Sequence, residues 1–257
     1  MTAPILAETT GATLRITFAR PDTLNAFTTE MFTLAADAVE KTAEDSAVRV
    51  VLLTGAGRAF SSGADLTGAE IDGVPDTGTI DAANRLTLAL RRTPKPVVAA
   101  VNGPAVGVGC SIALAADLTI ARESAYFLLA FANVGLMPDG GATALIPAAV
   151  GRARAARMAM LAERIPAPLA AEWGMIAKTV PDDEFPAEVE RIVARLAEGP
   201  TAAYAQTKRA LNATALAQLE IALAIERESQ SALFATEDFT EGVAAFRAKR
   251  TAVFRGR

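Results

Sequence analysis

At 257 residues, with 51% hydrophobic and 21% charged side chains, the chain can bury one large α/β core, alone or with a helical appendage, and its composition is that of a soluble globular protein. The net charge of −4 argues against nucleic acid or an acidic membrane as the main partner, so an anionic ligand would need local arginines, lysines and backbone amides. The absence of histidine excludes Ser-His-Asp and Cys-His devices and imidazole zinc sites, and the lone Cys110 allows no internal disulfide or cysteine metal cluster.

Met1 to Ala7 carries no basic leader region, and no segment approaches 18 uninterrupted apolar residues, so a cytoplasmic location is expected, with no membrane partner. Leu14, Ile16 and Phe18 alternate in Ala12 to Phe18, which predicts a strand with one buried face. Arg20 to Ala26 reads as a turn, and Thr28 is placed to cap a helix running to about Ala43. Val48 to Thr54 reads as a buried strand closed by Gly55-Ala56-Gly57. The following Arg58-Ala59-Phe60 lacks the third glycine of a dinucleotide turn, and no Gly-Lys-Ser/Thr follows, so a nucleotide loop is rejected. A glycine turn that exposes backbone amides fits Ser61-Ser62-Gly63-Ala64-Asp65-Leu66 better.

Residues 67–80 contain four Gly or Pro residues and several acids, which predicts an exposed, mobile loop before a helix over 81–92. Leu86 and Leu90 share a face of that helix, either as core or as the wall of a ligand pocket. Val97 to Val101 is a β-branched apolar run bounded by Pro96 and Asn102-Gly103, the pattern of a buried strand, and Cys110 to Ala116 reads as a small-residue helix. Between them lie Gly103, Gly107 and Gly109. Such a turn leaves the first amides of the helix without intrahelical partners, where they could receive negative charge on an oxygen, although most such sequences are simply tight turns. Cys110 reads as a small buried thiol, with a nucleophile at a helix start as the alternative.

Leu118 to Ala121 and Tyr126 to Leu129 read as strands. Gly135 to Thr143 is another glycine turn, leading to a helix that starts near Gly141. Asp139 is the one acid between Glu123 and Glu163. Two readings stand side by side: a helix N-terminal acid favoured by the dipole, or a carboxylate among Phe131, Leu136 and Met137 whose burial raises its proton affinity and makes it a usable base. The remainder is helical in pattern over 151–163, 168–173, 186–198, 200–212, 215–235 and 238–250, with prolines at the breaks. In 215–235, Leu216, Leu219, Leu223 and Ile225 are expected opposite Glu220, Glu226 and Arg227, an apolar face suited to another subunit.

As a set, RPDTLNA (20–26), AFSSGADL (59–66), KPVVAAVNGPAVGVGCSIALAAD (95–117), GLMPDGGATALIP (135–147) and EDFTEGVAAFRAKRTAVFRG (237–256) resemble the crotonase (enoyl-CoA hydratase/isomerase) superfamily in order and spacing. The resemblance implies an α/β fold: a ββα spiral core over 1–195, followed by a C-terminal helical region over 196–257 that serves trimerisation. It implies a homotrimer or dimer of trimers acting on an acyl-CoA thioester, with no metal and no cofactor beyond that substrate. The family's oxyanion-hole amides fall on Ala64 and Val108. Substrate-binding positions fall on Asn25, Ala26, Ser62, Gly63, Asp65, Leu66, Gly107 and Phe131, and Lys249 matches a position that reaches the coenzyme phosphates.

Two departures stand out. The glutamates of a hydratase fall on Ser111 and Phe131, neither of which can act as a carboxylate base, and Asp22 replaces a frequent basic residue near the coenzyme. The turn Pro138-Asp139-Gly140-Gly141 instead resembles the isomerase-like branch, in which an aspartate at the position of Asp139 is the base. The expected activity is Δ3,Δ2-enoyl-CoA isomerisation, with ring-conjugated substrates included. The alternatives are a hydratase with atypical residues, a hydrolase or dehalogenase with Asp139 as nucleophile, and a non-catalytic acyl-CoA binder.

Overall fold

A computed structural model describes residues 3–66 and 77–257. The chain opens with a hairpin, β1 (Ile5–Thr10) antiparallel to β2 (Thr13–Phe18). β1 has no counterpart among the predicted strands, because only Ile5 of its six residues is buried and the alternation that reveals a half-buried strand is missing. Thr28 accepts from the Met31 amide and starts α1 (Thr29–Lys41), as expected of an N-cap threonine. β3 (Val50–Gly55), α2 (Gly78–Arg92), β4 (Val97–Val101), a two-residue strand β5 (Ala105–Val106) and α3 (Val108–Leu114) follow. The predicted mobile loop lies outside the described residues as far as 76, and its last three positions belong to α2.

Next come β6 (Leu118–Arg122), β7 (Tyr126–Leu128), a 3-10 turn over Ala130–Val134, and α4 (Ala142–Leu161), which kinks at Gly151. β8 (Ile165–Pro166), α5 (Ala167–Glu172), β9 (Lys178–Val180), α6 (Phe185–Glu198), α7 (Thr201–Ala215), α8 (Leu219–Phe234) and α9 (Glu237–Arg247) complete the chain. The main sheet has the order β1-β2-β3-β4-β6-β9 and is parallel from β2 onward, whereas β5, β7 and β8 form a small second sheet.

The central strands are apolar throughout because both faces of the sheet are covered. Val51, Leu53, Val97, Ala99 and Val101 point into the larger core under α1 and α2, where Leu86 and Leu90 are fully buried and therefore core. Val50, Leu52, Val98, Ala100 and Ile120 point the other way, onto Phe185, Val189 and Val193 of α6. Successive strand residues alternate faces, so one short apolar run serves two cores.

The C-terminal helices differ from expectation at α8. Its buried stripe is Leu219, Leu223, Glu226 and Gln230, while Ile225 is 54% exposed and Glu226 is 0% exposed. The hydropathy pattern groups Ile225 with Leu219 and Leu223 on a face suited to another subunit and sets Glu226 opposite. The structure reverses them because buried backbone donors await the carboxylate, as described below. α9 also ends at Arg247, so Lys249 lies past the helix in a left-handed turn (φ 52°), exposed to solvent.

Candidate active site

Two glycine turns meet between the sheets. Val106 donates its amide to Ser61, Ser61 donates to Pro104, and the Ser61 hydroxyl donates to Asn25 and accepts from Gly63. These bonds fasten the 61–66 segment to β5. At Gly107 the backbone adopts φ 55°, ψ −132°, and a Cβ built there would lie 3.6 Å from the Cα of Gly63, itself at φ 98°. Only glycine takes such conformations without strain, and the pair lets two main chains pass face to face.

The residues after these glycines, Ala64 and Val108, present the predicted amides. Ala64 bridges to Phe27 through the Phe27 and Asp65 amides and the Gly63 carbonyl, which turns its own N–H away from that bridge. Val108 is the first residue of α3, where an N–H has no acceptor within the helix.

The residues expected to border the coenzyme gather beside these turns. Arg20 donates to Asp65 at 2.8 Å and to the Ala26 carbonyl at 2.7 Å. The Ser62 hydroxyl donates to the Thr23 carbonyl, and Arg247 of α9 donates to the Leu66 carbonyl. Asn25 is fully buried, accepting from the Arg20 amide and donating to the Ala56 and Ala59 carbonyls. Its side chain therefore shapes the loop. Its main chain is engaged as well, the amide donating to the Arg20 carbonyl and the carbonyl accepting from the Ser61 hydroxyl, so the expected ligand contact is not seen at Asn25. Asp22, the departure noted above, is exposed.

Asp139 approaches from the other side. Its carbonyl accepts from the Ser111 hydroxyl at 2.7 Å, and a Cβ on Gly140 would lie 3.1 Å from Val108 Cγ2, so the turn sits against the start of α3. Ser111 thus uses its hydroxyl to seat the Asp139 turn. Phe131 is buried in the 3-10 turn that precedes it.

Asp139 is 9% exposed as a residue, its Oδ2 accepting from Gln230 Nε2 at 3.0 Å, and its buried Oδ1 has no protein partner among the described residues. Burial is the main cause that raises its pKa to about 7; the Gln230 bond opposes the rise and the Glu226 charge adds to it.

The helix-dipole reading of Asp139 does not hold. The amides at the start of α4 are taken by Glu226: Oε2 accepts from Gly141 at 2.7 Å, and Oε1 accepts from the Thr143 amide at 2.8 Å and its hydroxyl at 2.5 Å. Burial pushes the Glu226 carboxyl above its usual range, while these three donors pull the other way. With the helix end already supplied, Asp139 keeps a free oxygen.

Gln230 is absent from the residues singled out in the sequence, and Glu226 is placed there only on the polar face of its helix. The available signal was their spacing, since they continue the Leu219, Leu223 stripe at intervals of three and four.

Cys110 is fully buried and its pKa is pushed up to about 12, chiefly by desolvation, which makes it the inert thiol of the two readings. Among the described residues no cluster of three or more Cys, Asp or Glu side chains could hold a metal, and no helix is long and apolar enough to cross a membrane.

Residues 8–257 match the family described as Enoyl-CoA hydratase/isomerase. The chain is 38% identical over 258 residues to the 1,2-epoxyphenylacetyl-CoA isomerase of Escherichia coli, covering 98% of each protein. It is 42% identical to a probable enoyl-CoA hydratase of Rhodobacter capsulatus over 94% of each. A crystal structure of an enoyl-CoA hydratase from Mycobacterium avium subsp. paratuberculosis superposes with a TM-score of 0.93 at 47% identity, over 99% of this chain and all of that one.

Proposed function

The chain belongs to the enoyl-CoA hydratase/isomerase family, and from that premise we propose that it is a Δ3,Δ2-enoyl-CoA isomerase with Asp139 as its base. The observation that carries this reading is the buried Asp139 carboxyl, one oxygen bonded and the other free, beside the two amide-bearing turns. The thioester oxygen of a 3-enoyl-CoA would accept from the Ala64 and Val108 amides. Asp139 would take a proton from C2, the electron pair would spread over the dienolate, and the same carboxyl would return the proton at C4. No atom is gained or lost.

A carboxyl whose pKa is about 7 suits both steps, because it takes a proton and gives it back near neutrality. Donors fixed before the reaction stabilise the dienolate oxygen without rearranging.

A hydratase needs a second group to activate water. Ser111 and Phe131 offer none, and both Glu226 oxygens are engaged at the α4 terminus. The relative named as an epoxyphenylacetyl-CoA isomerase favours ring-bearing acyl groups as substrates for the same machinery. The exposed Leu211, Ile221, Ile225 and Phe246 support self-association as a homotrimer or dimer of trimers, which light scattering would test.

The deciding experiment incubates 2-enoyl-CoA and 3-enoyl-CoA separately with the protein in heavy water and follows both by mass spectrometry. Rearrangement of the 3-enoyl substrate with deuterium uptake and no added water is expected. A product heavier by one heavy water would overturn the isomerase reading in favour of hydration.

A further inference from the structure

One helix far along the chain supplies side chains to both ends of the Asp139 turn. On α8 the polar pair Glu226 and Gln230 is fully buried, directly continuing the apolar Leu219 and Leu223. Burying two polar side chains is costly unless every group finds a partner, and here both do. Gln230 bridges the turn, with Nε2 donating to Asp139 Oδ2 at 3.0 Å and Oε1 accepting from the Met137 amide at 3.2 Å. Glu226 holds the other end through Gly141 and Thr143.

We propose that Gln230 and Glu226 are positioning residues for Asp139: Gln230 occupies Oδ2 so that Oδ1 faces the substrate, and Glu226 secures the turn while its charge opposes that of the Asp139 carboxylate. The proposal rests on the reading of Asp139 as base. The two residues act in opposite senses. The Gln230 N–H favours the ionised Asp139, whereas a neighbouring carboxylate disfavours it. α9 meets the turn at Gly135 through the Asp238 main chain, the Asp238 carboxylate being held by the Arg255 and Gly256 amides, and two further elements bring neutral groups. Ser111 on α3 donates to the Asp139 carbonyl, and Thr87 on α2 donates to the Gly140 carbonyl. Glu226 is the charged group acting on Asp139 among the described residues.

The test compares wild type, Gln230→Met, Glu226→Gln and Asp139→Asn as full-length proteins. The Asp139 carboxyl is titrated by isotope-edited infrared spectroscopy, assigned by its loss in Asp139→Asn, and kcat is followed against pH with 3-hexenoyl-CoA.

Gln230→Met should raise the Asp139 midpoint by about one pH unit and lower kcat at pH 7 about fivefold, with recovery at higher pH and KM within about twofold. Glu226→Gln, which keeps an acceptor for the α4 amides, should move the midpoint down, by less than about one pH unit because its charge is the weaker of the two influences. Midpoints that stay at the wild-type value in both variants would overturn the proposal whatever happens to kcat, since a merely structural role would not move them. Should Gln230→Met fold poorly, the sign of the Glu226→Gln shift decides alone. Full turnover in Asp139→Asn would overturn the base reading beneath the proposal, and the two failures are distinct because the midpoints are read without substrate.

Discussion

The two sides of the candidate site are made from different material. Around Ala64 and Val108 the groups proposed to act are backbone amides, and their placement depends on Gly63 and Gly107 at positive φ. Around Asp139 the group proposed to act is a side chain, placed by other side chains: Ser111 beneath its carbonyl, Gln230 on its Oδ2 and Glu226 at the start of the following helix. A backbone site should tolerate changes in the side chains of its own amide-bearing residues and fail when its glycines are replaced. A side-chain site should fail at the residue itself and weaken through its partners.

The sharpest break in this comparison sets Asp139→Asn against Ala64→Ser. The first should lower isomerisation by about a hundredfold or more, the second by less than about threefold, measured as kcat with 3-enoyl-CoA. A loss at Ala64→Ser as large as at Asp139→Asn would refute the backbone account.

Gly107→Ala comes next. Its Cβ has room, but the φ of 55° with ψ −132° would be strained, at a cost of about 1–3 kcal/mol. Relief of that strain would rotate the Val108 amide and lower kcat by about tenfold to a hundredfold, with a lowered Tm.

On the opposite side, Glu226→Ala would leave the Gly141 and Thr143 amides and the Thr143 hydroxyl without their partner. Denaturant titration should show a loss of about 2–3 kcal/mol.

A further effect has a defined pH dependence. Folding raises the Asp139 pKa from 3.8 to about 7, so the folded state binds this proton more tightly than the unfolded chain. Wild-type stability must then fall as pH rises from about 4 to about 7, a penalty that Asp139→Asn removes. The variant should gain on the order of 4 kcal/mol above pH 7 and progressively less toward pH 4, read as Tm against pH. A variant less stable than wild type at pH 8 would contradict the buried carboxyl.

Last, Cys110 should react with a thiol reagent roughly a hundredfold or more slower in the folded protein than in the unfolded chain, as expected of a buried thiol with a pKa of about 12. Rapid labelling would place reactive side-chain chemistry in the backbone half.

Much of this molecule was legible from local pattern. Val97 to Val101 and Val48 to Thr54 announced buried strands by uninterrupted β-branched and aliphatic residues, and Thr28 marked a helix start through its capping chemistry. The glycines at 63 and 107 marked the amide-bearing turns for the same local reason, since a main chain at positive φ restricts the residue type at that very position. β1 was not legible, because pairing with β2, rather than burial, makes it a strand.

Asp139 stood out by type and isolation, but its role did not follow from its neighbours in sequence. Whether a carboxylate caps a helix or stays free depends on which other donors and acceptors reach it, and here the answer lies on α8. The sequence by itself determined the buried central strands, the Thr28 helix start and the two glycine turns, because those depend on propensity and backbone conformation within a few residues. Only the tertiary structure decided that Glu226 is inside, that it takes the α4 amides, and that Asp139 keeps an unbonded oxygen. Burial and hydrogen-bond partnership are properties of the assembled core, and no single stretch of chain contains them.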